Sequence, residues 1–224
     1  MHISETAAPK ISTDRQGPRW KRRKDARPQE VLDAALMLFA QHGYAQTRLD
    51  DVATKAGISK GTVYLYYNSK QDLFEAVVHD RATPWLEAVS GQTVDDNDST
   101  ETVLRNFLQW GWKQFLESRL HMIARVVLAE SNNFPHLSQA YLKEVMDPIH
   151  DHLIGLLERG VARGEVRGNV TRERAQALLA PLAWLSLWRQ ALLSYGEHPL
   201  NESVFLNETI DMVIHSVTGG NALD

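Results

Sequence analysis

Residues 44–74 read YAQTRLDDVATKAGISKGTVYLYYNSKQDLF, and the spacing inside this stretch organises everything around it. Leu49, Val52, Ala53 and Ala56 recur at helical intervals and make one apolar face. Thr47 can cap that helix, and Asp50, three residues on, is a capping-box carboxylate that also favours the positive helix end. Gly57 stops the helix, because glycine enters a left-handed cap cheaply. Ile58 then plugs the core, Ser59 caps a second short helix, and Lys60, Gly61 and Thr62 fill its first turn. Val63 points inward, Tyr64, Tyr66 and Tyr67 close the helix, and Lys70 opens a third.

Two short helices joined by a tight turn make a helix-turn-helix, whose second helix places its first residues against base edges in the DNA major groove. Lys60 can donate to guanine O6 or N7, and Thr62 offers a methyl and a hydroxyl to thymine or polar edges. Gly61 lets the backbone sit close to the bases. Thr47, Arg48, the hydroxyls of Tyr64, Tyr66 and Tyr67, and Lys70 suit phosphate contacts, which fix register without reading sequence. A plain three-helix core would need neither the small residue beside Lys60 nor the tyrosine cluster.

The segment VLDAALMLFAQHGYAQTRLDDVATKAGISKGTVYLYYNSKQDLFEAV resembles the DNA-binding domain of TetR-family transcriptional regulators. The likeness is carried by the apolar first helix, the Gly43-Tyr44 break, Thr47, the Ala-Gly-Ile-Ser turn, the Gly-Thr-Val-Tyr helix, and Ser69-Lys70 before Leu73-Phe74. Tyr67 stands where the family usually has phenylalanine, and Arg48 where it commonly has threonine or serine. A later segment, ARVVLAESNNFPHLSQAYLKEVMDPIHDHLIGLLERGVARGEVRG, is similar to the C-terminal domain of AcrR-like and AefR-like members. The resemblance implies a repressor in an all-α fold, working as a homodimer on a palindromic operator in double-stranded DNA and released by a small-molecule effector.

Length and charge agree with a small reader on a larger helical body. The 224 residues carry a net charge of −4. Residues 1–70 hold 12 Lys/Arg against 7 Asp/Glu, whereas residues 71–224 hold 12 against 21, so the positive charge sits with the motif. Lys10 to Arg27 alone contains 8 basic and 2 acidic residues amid Pro, Gly, Ser and Gln. That composition predicts a disordered arm, either following phosphates or entering the minor groove, or a solvated tail acting only through its charge. The expected divisions are the arm at 1–24, the helix-turn-helix domain at 25–85 and an effector and dimerisation domain at 86–224. With 0 cysteines there is no disulfide framework or thiolate zinc site, and no segment is long and apolar enough to span a membrane. A signal-peptide core is missing, so a cytoplasmic location is expected.

The remaining periodicity is helical. Arg27 or Pro28 opens the first helix and Gly43 ends it; Lys70 to Ser90 follows, with Pro84 expected to kink it. Further helices are expected at Thr100–Leu116, Ser118–Ser131, His136–Arg163 with an interruption at Pro148, Thr171–Ser194 and Ser203–Val217. Leu178, Leu182, Leu185 and Leu192, with Leu206, Ile210, Val213 and Val217, read as the stripes of a four-helix dimer interface, unless they only fill the monomer core.

Trp85, Trp110, Phe115, Met122, Trp184 and Trp188 could line an apolar pocket with Arg125 orienting a polar head; aromatics at helical spacing are also ordinary core. His150-Asp151-His152 has ligand-type residues, but positions i and i+2 lie on different helix faces, so no metal and no cofactor is expected. No nucleophile–base pair, phosphate loop or zinc signature suggests an enzyme.

Overall fold

The computed structural model describes residues 27–91, 94–191 and 200–219. Among them every regular element is helical: α1 (Arg27–His42), α2 (Leu49–Ala56), α3 (Lys60–Tyr66), α4 (Lys70–Ser90), α5 (Thr100–Glu117), α6 (Leu120–Glu130), α7 (Pro135–Tyr141), α8 (Asp147–Ala162), α9 (Arg172–Ala191) and α10 (Glu202–Thr218). The all-α expectation holds. The expected basic arm at 1–24 and Leu192 lie outside the described residues.

Local chemistry sets the helix ends of the head, α1 to α3 and the first half of α4. Gly57 takes φ +67°, and the Ile58 amide reaches back to the Ala53 carbonyl at 3.0 Å, closing α2. Ser59 Oγ accepts the Thr62 amide at 3.2 Å, and Ser69 Oγ accepts the Asp72 amide at 3.0 Å. The cap of α2 differs from the sequence reading. Thr47 is only 2% exposed, and its hydroxyl donates to the Gly43 carbonyl at 2.8 Å. The residue before the helix is Arg48, whose amide donates to Asp51 Oδ2 at 3.1 Å. The box is therefore one residue later than read, because the end of α1 leaves a carbonyl within reach of Thr47.

Gly43 turns the chain at φ +82°, and a Cβ there would also come within 2.6 Å of Glu130 Oε1. The body grips this corner. Glu130 accepts the Ala45 amide at 3.2 Å, Tyr44 OH meets His136 Nε2 at 2.8 Å, and Arg125 donates to the Ala40 carbonyl. The Tyr44 ring is buried against Phe39, Phe74 and Phe134, at 5.3, 5.6 and 4.9 Å between centroids. Burial, then the charge of Glu75, pushes the Tyr44 hydroxyl up to about 12.

Helix α4 runs unbroken through Pro84, burying Leu73, Phe74, Val77 and Val78 near α1, then Ala82, Trp85 and Val89 in the body. Where the sequence places an interruption at Pro148, the structure puts one turn of π-helix at Leu142–Met146. Proline has no amide and its ring crowds the carbonyl four residues earlier, here Glu144, so the preceding turn widens. Beyond it, Arg159 and Arg163 at the end of α8 donate to the carbonyls of Asp95 and Asp96 at 2.9 and 2.7 Å, holding the loop before α5. Glu165 then caps α5 by accepting the Thr100 amide at 2.6 Å. Gly160 permits the contact, since a Cβ there would strike Val166 and come 2.8 Å from Thr100.

The dimer stripes read from the sequence turn inward. Leu178, Leu185, Ile210, Val213 and Val217 are buried within the chain, and Leu182 and Leu206 pack partly against the same core. The monomer uses these side chains of α9 and α10 to cover its own core. The outward face carries Trp184, Leu187, Val204 and Met212 instead. One continuous buried cluster runs from Val31 in α1 to Val217 in α10.

Candidate nucleic-acid interface

Helix α3 is fastened by one residue. Val63 is fully buried, whereas Tyr64, Leu65 and Tyr66 are 45%, 77% and 41% exposed and Lys60 and Gly61 are open to solvent. A seven-residue helix with a single inward side chain turns most of its surface outward. Thr62 is half-buried, its hydroxyl 2.8 Å from Ser59 Oγ. Lys60 Nζ donates to Asp50 Oδ2 at 2.7 Å and lies 5.7 Å from the Tyr64 ring centroid. That hydrogen bond, then the carboxylate's charge, raises the Lys60 pKa, so the ammonium is a fixed positive charge.

Arg48 is exposed at the start of α2. Tyr67 is half-buried, and burial, followed by Asp80 and Tyr66, raises its pKa. Two residues read as phosphate contacts are committed elsewhere. Thr47 faces inward, as above. Lys70 Nζ donates to the carbonyls of Tyr44 and Ala45 at 2.8 and 3.1 Å and sits 4.5 Å from the Tyr44 ring centroid. Burial lowers its pKa, an effect the Glu130 carboxylate opposes. The corner at Gly43 leaves two carbonyls unfilled, and an ammonium from the start of α4 satisfies both. Leu65 was missed by the sequence reading; its signal was an apolar residue opposite Val63 on a helix too short to bury two faces.

The residues read as an effector pocket divide. Trp85 is buried and donates from Nε1 to the Gly111 carbonyl at 3.4 Å, with Phe115 edge-on at 6.5 Å. Phe115 stacks with Trp112 at 5.9 Å, and Trp110 and Met122 pack partly against the same core. Arg125 is taken up by Ala40, and Trp184 is 44% exposed, stacked on Trp188 and Phe205 at 5.0 and 5.2 Å on the outer face. His121 Nδ1 and Trp188 Nε1 are among the buried side-chain atoms that have no hydrogen-bond partner among the described residues. Burial, then Arg189, lowers the His121 pKa.

Asp147 and Asp151 share Arg172 at 3.0 and 2.9 Å, and His152 stacks on Phe107 at 5.3 Å. No cluster of metal-ligating side chains occurs among the described residues, nor a helix long and apolar enough to cross a membrane.

Residues 31–77 match the family described as bacterial regulatory proteins, tetR family, and residues 94–196 match the tetracyclin repressor-like C-terminal domain. The chain is similar to the fatty acid metabolism regulator protein of Bacillus subtilis, 23% identical over 158 residues, spanning 70% of this chain and 80% of that one. It is 25% identical over 168 residues to the transcriptional repressor KstR2 of Rhodococcus jostii, covering 73% and 79%. Its fold matches that of FadR from Bacillus subtilis in complex with stearoyl-CoA, with a TM-score of 0.69 at 19% identity, over 84% of this chain and 98% of the other.

Proposed function

Because the chain belongs to the TetR family of bacterial transcriptional regulators, we propose that it is a sequence-specific DNA-binding repressor released from its operator by a small-molecule effector. The observation that carries the DNA reading is α3: one buried anchor, Val63, beneath an outward surface of Lys60, Gly61, Thr62, Tyr64 and Tyr66. Lys60 and Thr62 are assigned to base edges, and Arg48 with the tyrosine hydroxyls to phosphates. The reader occupies 25–85, the effector and dimer body 86–224, and the arm at 1–24 lends positive charge. The setting is the cytoplasm, where the operator is.

Two copies join through the outward face of α9 and α10, with Trp184, Leu187, Val204 and Met212 at its centre. Their recognition helices then meet a palindrome at about 34 Å, one turn of DNA. Helix α4 belongs to both parts, with Phe74 in the head and Trp85 in the body. An effector seated beside Trp85 and Phe115 tilts α4 and moves that spacing off one DNA turn. Trp188 Nε1 supports a ligand that carries a hydrogen-bond acceptor on an apolar frame. Such a ligand acts only if it binds the two arrangements unequally.

Selection of bound duplexes from a random pool tests the DNA reading; a two-fold consensus supports it, and equal binding of all duplexes removes it. Stearoyl-CoA, the ligand held by the similar FadR structure, is the first effector probe. Binding at a hundredfold excess over its Kd adds about 2.7 kcal/mol to stability. If neither this nor a wider metabolite set shifts melting or releases DNA, control by a partner protein replaces the effector.

A further inference from the structure

The outermost ridge of α3 contains two residues that the fold itself does not require. With about 100° between successive residues, Gly61 and Leu65 lie one turn apart on the side opposite Val63. Gly61 has helical backbone, and a Cβ there would meet only Ser59 Oγ at 3.9 Å, an ordinary contact. Nothing inside the chain therefore demands glycine, a weak helix former, at that position. Leu65 is 77% exposed, the most exposed large apolar side chain among the described residues, and it helps bury nothing of the head. A missing side chain followed one turn later by a bare isobutyl group describes a surface shaped by something outside the molecule.

We infer that Leu65 reads a thymine: its isobutyl group packs on the C5 methyl of one thymine in each half-site, at a depth that Gly61 permits. The thymine methyl is the apolar group that base pairs display in the major groove, and Leu65 is the one purely aliphatic side chain that α3 turns outward, Thr62 being half-buried with its hydroxyl held by Ser59. The inference rests on α3 being the base-reading helix and adds a residue, and a base, that the family assignment does not specify. Lys60 and Leu65 then divide the half-site, with a polar contact at the first turn of α3 and an apolar one at the second.

The test uses the full chain and the duplex obtained by random-pool selection. Each thymine is replaced singly by deoxyuridine, which deletes only the methyl, and affinity is measured for wild type and Leu65→Ala. The expected result is one symmetry-related thymine at which deoxyuridine weakens wild type about fourfold, the value of one methyl removed from water. At that thymine the Leu65→Ala protein should show no change between the two bases. Because Leu65 is exposed and alanine favours helix, the variant should melt with wild type, and its salt dependence should be unaltered. Indifference of wild type to every deoxyuridine overturns the inference while leaving the DNA reading intact, as does retention of the sensitivity in Leu65→Ala. A selection without consensus overturns both together.

Discussion

At Lys60 the ammonium and Asp50 sit 2.7 Å apart with both side chains open to water, so the pair is readily exchanged for a base. Replacing Lys60 by alanine should cost about 1–3 kcal/mol of operator binding and relax preference at one base position, read by titrating single-base variants. Lys70 presents the opposite case. Lys70→Met strands the carbonyls of Tyr44 and Ala45, and urea unfolding should show a loss of about 1–3 kcal/mol. Below its melting point that variant should keep the wild-type salt slope, whereas Arg48→Ala should lower the slope by about 1. An unchanged slope in Arg48→Ala would remove Arg48 from the phosphate contacts. These two cations look alike in sequence. What distinguishes them is the Gly43 corner, whose spare carbonyls lie 25 and 26 residues away along the chain. That Lys60, Gly61 and Thr62 occupy the first turn of α3 was legible because capping and helical phase are local; the inward turn of Lys70 and Thr47 was not, because their partners are set by tertiary packing.

At the level of elements, residues such as Gly57, Ser59 and Ser69 announce helix ends through their own backbone and side-chain chemistry, which is why the head could be read so closely. The π-helical turn before Pro148 could not, since a proline says that the hydrogen bonding of the preceding turn must change but not whether that turn breaks or widens. The stripes of α9 and α10 misled for another reason. Each helix carries large apolar side chains outside its main stripe, Trp184 and Leu187 on α9 and Val204 and Met212 on α10, and periodicity cannot say which set the monomer keeps. The staple between α8 and α5 yields a pH prediction. Hydrogen bonds from Thr100, then the contact with Arg163, hold the Glu165 carboxyl down at about 2, from an ordinary 4.5. A carboxylate more acidic in the folded state contributes stability above its unfolded value and loses it as protons bind. The melting temperature of Glu165→Gln should fall below that of wild type at neutral pH, and the gap should close as pH drops from 4.5 towards 2. A gap that stays constant across that interval contradicts the assignment.

At the scale of the whole molecule, Trp184 and Leu187 on α9 lie at the centre of the surface assigned to the second copy, and both stay open in the single chain. Trp184→Glu together with Leu187→Glu should leave the folded monomer intact by circular dichroism and convert the dimer to monomer in sedimentation. Operator affinity should fall with it, since two linked heads bind far more tightly than one. Dimerisation by variants of this face unchanged in mass would place the interface elsewhere.

The corner at Gly43 to Ala45 limits how freely the reading end can be borrowed. A polypeptide cut after Ser90 lacks Arg125, Glu130, Phe134 and His136, leaving the Tyr44 ring and its neighbouring backbone to water. Grafted onto an unrelated scaffold, that cartridge should arrive loosened, its Ala45 amide trading protons with deuterated solvent sooner than in the intact chain.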